Sequence, residues 1–177
     1  MIIRPATAED GPTVAAVRLQ SWRTTYRGVV PDSYLDTMDA NEPLWCEIAS
    51  GEEPGTELCV CEVEARIVGF ACFGPARPLQ FDFSGELYAT YFLREAIGKG
   101  YGAAVMLAAT NGLKRLGHDD MILWVLESNG RAQRFYEQFG GVRVENSRQS
   151  FQIDGKTFWE VAYGFRPLPV PAARRWS

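Results

Sequence analysis

Glu86-Leu87-Tyr88-Ala89-Thr90-Tyr91-Phe92-Leu93-Arg94-Glu95-Ala96-Ile97-Gly98-Lys99-Gly100-Tyr101-Gly102-Ala103 is the stretch from which the rest of this 177-residue chain can be organised. Its first half alternates Leu87, Ala89, Tyr91 and Leu93 with Tyr88, Thr90 and Phe92. Both faces are largely apolar, which predicts a strand covered on two sides. From Gly102 the period changes: Met106, Ala109, Leu113 and Leu116 fall on one helical stripe, and Gly117 stops it. Between strand and helix lie three glycines. Glycine lets the backbone approach an anion, and a helix start presents N–H groups without intrahelical partners, so a phosphate group is expected here. The pattern is not a P-loop, since no glycine stands five residues ahead of Gly98 and Gly100 follows Lys99 where Ser or Thr would be needed. Nor is it G-x-G-x-x-G, because the third glycine comes one residue early. Taken alone, the cluster fits a tight packing turn equally well.

Working toward the N-terminus, residues 58–63 and 67–73 are dense in Val, Ile, Phe and Cys around Glu64-Ala65-Arg66 and read as two antiparallel strands, the second ended by Pro75 and Pro78. Ahead of them, Thr7 and Asp10 form a capping-box-like start. Ala15, Leu19, Trp22 and Tyr26 then recur at helical spacing, giving a helix over 10–26. Pro31 opens a short helical stretch through Tyr34, Leu35 and Met38, and residues 44–49 add a further turn. Toward the C-terminus, residues 121–126 form an apolar strand. Ser128 and Asn129 cap a helix carrying Ala132, Phe135, Tyr136 and Phe139, which Gly140-Gly141 ends. Residues 142–153 and 157–165 make a closing hairpin around Asp154-Gly155. The class is α+β around one mixed sheet, with no internal repeat. A single domain is expected over 1–165. Residues 166–177, with three prolines and the adjacent Arg174 and Arg175, read as a loosely ordered tail.

Composition agrees with one globular domain, at 46% hydrophobic and 12% aromatic residues. Eighteen basic against 22 acidic residues leave a net charge of -4, so no positive field draws nucleic acid or an anionic membrane, and cationic substrates are mildly favoured. The N-terminus turns polar by Thr7, without the apolar core of a signal peptide, and no apolar run is long enough for a membrane span. Cytoplasmic localisation is the expectation. Cys46, Cys59, Cys61 and Cys72 have neither metal-pair nor disulfide-framework spacing and read as reduced core residues. A homodimer stays open, since no sequence feature marks one.

A second segment makes the reading specific: Leu123-Trp124-Val125-Leu126-Glu127-Ser128-Asn129-Gly130-Arg131-Ala132-Gln133-Arg134-Phe135-Tyr136-Glu137-Gln138-Phe139-Gly140-Gly141. Together with residues 93–103 it resembles the two adjacent signature motifs of the GNAT N-acetyltransferases, in order. The similarity extends more loosely over residues 1–165. Ser21-Trp22-Arg23-Thr24-Thr25-Tyr26-Arg27-Gly28-Val29-Val30-Pro31 with Tyr34-Leu35 resembles a bacterial branch that includes PaiA-like polyamine acetyltransferases. The resemblance implies a mostly antiparallel sheet of about seven strands flanked by about four helices. It also implies a metal-free enzyme that takes acetyl-CoA, bound in an opening between the strands at 86–93 and 121–126. Main-chain groups of Thr90, Tyr91 and Phe92 would bind the pantetheine arm and polarise the acetyl carbonyl. N–H groups of Gly98, Lys99, Gly100, Tyr101, Gly102 and Ala103 would hold the pyrophosphate, and the Asn129 side chain would contact pantetheine. Ile97, Arg94 and Ala96 depart from the family pattern, and Arg94 offers partial compensation.

Tyr136 aligns with the tyrosine that in many relatives protonates the departing thiolate, a task open to a phenol because it carries its proton at neutral pH. Helical spacing alone would make it a core aromatic. An acceptor ammonium must lose a proton before attack, and Glu86, opening the central strand, is the candidate base; charged residues also simply mark solvated strand ends. Glu127 reads as a surface charge at a helix entry, and His118 as a surface residue of a Gly-His-Asp turn. Trp22, Tyr26, Tyr34, Phe151 and Trp159 are candidate walls of the acceptor pocket by analogy with the superfamily. The expected reaction is acetyl transfer to a primary amine of a polyamine, another small molecule or a protein. A non-catalytic acyl-CoA sensor on the same fold is the rival, and nucleotide binding without transfer is a third reading.

Overall fold

The computed structural model describes residues 1–77 and 81–169. Its centre is an eight-stranded sheet in the order β1-β2-β3-β4-β5-β8-β6, with β7 also paired to β8. The strands are β1 (Ile2–Pro5), β2 (Glu57–Val63), β3 (Arg66–Pro75), β4 (Gly85–Phe92), β5 (Met121–Leu126), β6 (Val142–Arg143), β7 (Gln149–Ile153) and β8 (Lys156–Phe165). The helices are α1 (Gly11–Thr25), α2 (Asp32–Thr37), α3 (Glu42–Ser50), α4 (Tyr101–Arg115) and α5 (Gly130–Gln138). Every neighbouring pair in the sheet is antiparallel except β4 with β5.

The mixed α/β, mostly antiparallel architecture follows the expectation, with one strand and one helix more. Of the two strands beyond the six runs read from the sequence, one is β1. Ile2-Ile3-Arg4-Pro5 pairs with Glu62-Cys61-Val60-Cys59, and its proline sits on a sheet edge where no further ladder bond is needed. The 142–153 run is split in two. Asn146 takes a left-handed conformation (φ 57) and Ser147, 2% exposed, inserts its hydroxyl into the ladder, donating to Val144 C=O (2.7 Å) and accepting from Ala162 N–H (3.0 Å). A side chain there replaces one rung of main-chain pairing.

Alternation along the strands sorts the two faces. Phe70 meets Trp45 of α3 on one face, with ring centroids 5.1 Å apart. Phe73, three residues on, meets α4 on the other face, so closely that a Cβ at Gly112 would lie 2.2 Å from its ring. α5 shares the α4 face, since Gly102 abuts Phe135 and Tyr136 stacks near Tyr163. A second apolar cluster (Val30, Leu35, Leu126, Ile153 and Phe158) joins α2 to the far end of the sheet. The capping box appears as expected: the Asp10 carboxylate accepts from Thr7 N–H and Oγ and also pairs with Arg4. Past β8 the chain stays on the body at least through Leu168, which is 2% exposed and donates its N–H to Asp119 C=O. The rest of the segment expected to be a loose tail, residues 170–177, lies outside the described residues.

Candidate active site

β4 and β5 are paired at only three positions, Gly85 with Met121, Glu86 with Ile122 and Leu87 with Leu123. Beyond Leu87 each strand keeps its other neighbour: β4 follows β3 as far as Phe92 opposite Gly69, and β5 follows β8 as far as Leu126 opposite Glu160. The two therefore diverge and leave a cleft through the middle of the sheet. Its floor coincides with a bulge in β4, where Leu87 opposes Phe73 and Ala89 opposes Cys72, leaving Tyr88 without a direct partner. Leu93 N–H donates to Val68 C=O at 2.9 Å, so Leu93 and Tyr91 form the hydrogen-bonded pairs of the β3 ladder. By the same alternation the main-chain groups of Thr90 and Phe92 turn toward the cleft, whereas those of Tyr91 are spent on β3.

At the upper end of the cleft the chain turns into α4. Gly98 (φ +85) and Gly100 (φ +81) are left-handed, a conformation that costs a side-chain-bearing residue about 1 kcal/mol or more. The N–H groups of Gly98, Lys99, Gly100, Tyr101 and Gly102 have no hydrogen-bond partner among the described residues. Ala103 differs, because its N–H already donates to Gly100 C=O at 3.2 Å. Five unpaired donors at the start of a 15-residue helix make an anion seat. Ion pairs or carbonyl contacts engage every other described arginine; Arg94, Arg131 and Arg134 have none, and the Arg131 guanidinium comes within 3.8 Å of the Cβ position at Gly98. In a chain of net charge -4, Arg94, Arg131 and Arg134 are thus the uncommitted arginines among the described residues, and Arg131 lies beside this turn. The residues present fit a diphosphate.

α5 closes the other wall. Asn129 caps it, its Oδ1 accepting from Ala132 N–H (3.1 Å), while its Nδ2 donates to the Tyr26 hydroxyl (3.3 Å) and so ties α5 to α1. Tyr136 is 7% exposed, and its hydroxyl makes no hydrogen bond among the described residues. Burial, reinforced by the neighbouring phenols of Tyr26 and Tyr91, pushes its pKa well above the ordinary 10. Burial likewise moves Tyr26 up to about 12 and Tyr91 upward. Three tyrosines, from the C-terminal end of α1, from β4 and from α5, therefore converge on the cleft, all holding their protons at neutral pH.

The floor carries a charged pair. Glu86 is fully buried, and its carboxylate accepts from Arg77 main-chain N–H (3.0 Å), from Nε (3.0 Å) and, at very short range, from Nη2. Nε also reaches the second oxygen, at 3.1 Å, so the three Arg77 donors make four contacts that engage both carboxylate oxygens. Of the candidate wall aromatics, Trp22, Tyr26, Tyr34 and Phe151 gather against the second apolar cluster. Trp159 does not. Its neighbour Phe158 is buried in that cluster, alternation turns Trp159 to the opposite face, and Arg148 covers its ring at 3.6 Å. Glu127 pairs with Arg148 (2.9 Å) and Arg143 (3.4 Å), which hold its carboxyl below the usual range, and it stays a surface charge. His118 sits in the turn after α4 beside Gly85, at the end of β4 away from the glycine turn. All four cysteines are free, and burial moves the Cys59 and Cys72 thiols up to about 12, too high for an acyl-carrying thiolate. Among the described residues no group of three or more His, Cys, Asp or Glu side chains is placed to hold a metal ion, and no helix is long and apolar enough to cross a membrane.

Sequence reasoning missed Arg77. The available signal was Glu86 itself: a carboxylate inside an apolar strand needs a charged or hydrogen-bonding partner, and Arg77 is the one cation in the connection that leads into that strand.

Residues 17–141 match the family model of the acetyltransferase (GNAT) family. The chain is 34% identical over 168 residues to YuaI of Bacillus subtilis (strain 168), described as an uncharacterized N-acetyltransferase, covering 94% of this chain and 93% of that protein. In three dimensions it is similar to yncA from Salmonella typhimurium, determined with its cofactor acetyl-CoA, at a TM-score of 0.72 and 19% identity over 98% of this chain and 96% of that one. It is also similar to the PaiA N-acetyltransferase from Thermoplasma acidophilum in complex with coenzyme A, at a TM-score of 0.68 and 21% identity over 90% and 96% of the two chains.

Proposed function

The chain belongs to the acetyltransferase (GNAT) family, and from that premise we propose that this N-acetyltransferase moves the acetyl group of acetyl-CoA onto a primary amine by direct attack, without an acyl-enzyme. The observation that carries the reading is the divergence of β4 from β5 just ahead of a turn whose five N–H groups have no protein partner.

Acetyl-CoA, when bound, supplies an activated thioester carbon. The chain's own part begins at the turn, where the N–H groups of Gly98 to Gly102 hold the diphosphate, with Arg131 adding charge and Ala103 serving only the helix. Thr90 and Phe92 offer main-chain groups to the pantetheine arm in place of the strand that β5 no longer provides. Preorganised backbone donors of this kind lower the barrier because they are already aimed and desolvated. Asn129 contributes to the same arm from its cap position.

Tyr136 is assigned as the acid that gives a proton to the leaving sulfur. Its raised pKa keeps the proton in place at neutral pH, and its hydroxyl has no competing protein partner. Glu86 is retained as the base under a constraint: Arg77 engages both of its oxygens, so the ammonium proton reaches it through a water that displaces one of these contacts. A soluble cytoplasmic setting belongs to this proposal as well.

Thiol release from acetyl-CoA, followed across polyamines, amino acids, aminoglycosides and short peptides, tests it. Turnover with at least one amine is expected, and it would exclude the sensor reading. In Tyr136→Phe, kcat should fall by about 100-fold or more. An unchanged mutant would remove Tyr136 from the acid role, and absence of any acetyl-CoA-induced rise in Tm would sink the reading itself.

A further inference from the structure

The acceptor side of the cleft carries more information about its substrate than the family assignment does. Glu86 pairs across the short seam with Ile122, Ile122 pairs with Gly164, and register neighbours share a face. Two and four residues along the same strands, Trp124 and Glu160 lie on that face too. Arg77, anchored on Glu86, therefore stands at the point where the sheet opens, below the end of any chain laid between β4 and β5 from the glycine turn. The Arg77 side chain is 61% exposed although the carboxylate that holds it is fully buried.

The manner of the pairing matters. Glu86 takes the Nε and Nη2 side of the guanidinium, which fixes the plane of the group. Nη1 has no partner among the described residues, so the outer Nη1/Nη2 edge of this exposed side chain is left as a rigid, unoccupied fork. Such an edge matches a carboxylate with two parallel hydrogen bonds. The Tyr88 ring has its centroid 5.8 Å from Cζ, its hydroxyl donates to Pro75 C=O, and the charge of Glu160, which accepts from Gln149 Nε2 at 2.8 Å on the same face of the sheet, adds to the field at the guanidinium. Two carboxylates against one guanidinium leave a local excess of negative charge. An ammonium alone would be held by the acids, but a second ammonium would meet Arg77.

Resting on the transferase reading, we infer that the acceptor is a zwitterionic amine, an α-amino acid or a close analogue, whose carboxylate is bound by the outer edge of Arg77 while its ammonium faces Glu86 and Glu160. Arg77 is then the specificity-determining residue. It selects against polyamines, whose further cations it repels, and against amines that lack a carboxylate, which would leave the fork unsatisfied.

The experiment compares kcat/KM for matched amines with and without the carboxylate: leucine and isoamylamine, phenylalanine and phenethylamine, lysine and cadaverine. The carboxylate-bearing member of at least one pair should be preferred by about 10-fold or more. Arg77→Lys keeps a cation beside Glu86 but loses the planar fork, and should cut that preference by about 10-fold, through KM for the amino acid. Because a change beside a buried carboxylate can disturb folding, Arg77→Gln, which leaves Glu86 in place, is assayed alongside, with the acetyl-CoA-induced rise in Tm as the check on an intact donor site. Its preference should fall as well. Cadaverine or another decarboxylated amine turned over as well as its partner would overturn the assignment, as would an undiminished preference in Arg77→Lys. Silence with every pair while acetyl-CoA still raises Tm overturns it too, whereas the transferase reading fails only if acetyl-CoA does not bind.

Discussion

The two halves of the cleft are made in different ways. The donor half, as proposed, comes from two short runs, residues 86–103 and 123–141, and would work mainly through main-chain groups: the open edge of β4 at Thr90 and Phe92 and the five N–H groups at the turn that have no partner among the described residues. The acceptor half, as proposed, is assembled from side chains far apart in sequence: Trp22 on α1 and Tyr26 at its end, Arg77 in the connection from β3 to β4, Glu86 at the start of β4, and Glu160 on β8. A phosphate or an amide has the same needs wherever it occurs, so the backbone can serve it. An acceptor amine is distinguished by its particular charges and shape, which only side chains can match.

This contrast can be broken at the residue where the halves meet. Tyr136→Phe should give the largest effect, about 100-fold or more on kcat, corresponding to about 2.7 kcal/mol, with KM for both substrates nearly unchanged; a comparable rise in the KM for acetyl-CoA would make Tyr136 a donor-side packing residue instead. Next, Gly100→Val places a β-branched residue at φ +81, where no neighbouring atom blocks the side chain but the backbone is strained. The expected result is a KM for acetyl-CoA raised about 10-fold with the KM for the amine unchanged, and equal rises in both would erase the division between the halves. Asn129→Ala removes both a helix cap and the tie to Tyr26. Denaturant unfolding should show a loss of about 1 kcal/mol, and no loss would mean that the cap is idle.

The smallest effect lies outside the cleft. Arg4, with help from the Thr7 donors, lowers the Asp10 carboxyl from 3.8 to about 2, so folded Asp10 binds its proton less readily than unfolded Asp10 does. The associated stability is present above about pH 4 and is lost as the pH falls toward 2. For Asp10→Asn, the acid-induced fall in stability should shrink by up to about 1 kcal/mol, without change in either KM at neutral pH. An identical acid profile would remove the pair from the balance.

The same division explains how much could be read beforehand. The strand, glycine turn and helix were legible because alternation, left-handed glycines and helical period are local properties, whereas the roles proposed for Tyr136 and Asn129 come from their place in a motif. β1 was not, since a four-residue edge strand has too little pattern to separate from a loop. The break at Asn146 and Ser147 was hidden because a hydroxyl took over a rung of the ladder, leaving the apolar pattern on both sides intact. That Ala103 keeps its N–H for the helix, and that Tyr91 spends its main chain on β3, depend on ladder phase and cap geometry, which residue types do not encode. Trp159 was misplaced by one strand face, the usual penalty of a period of two. Arg77 escaped because its partner is chosen by the fold.

The parallel seam at the floor of the cleft has a wider consequence. With three register pairs between β4 and β5, the sheet is close to being two half-sheets, and a donor bound as proposed would stitch the upper part together. Free energy of binding is then free energy of folding: at a donor concentration 100 times Kd, unfolding becomes about 2.7 kcal/mol harder. The protein's lifetime against heat or proteases would accordingly register how much acetyl donor surrounds it, so that its substrate doubles as the clasp of its own architecture.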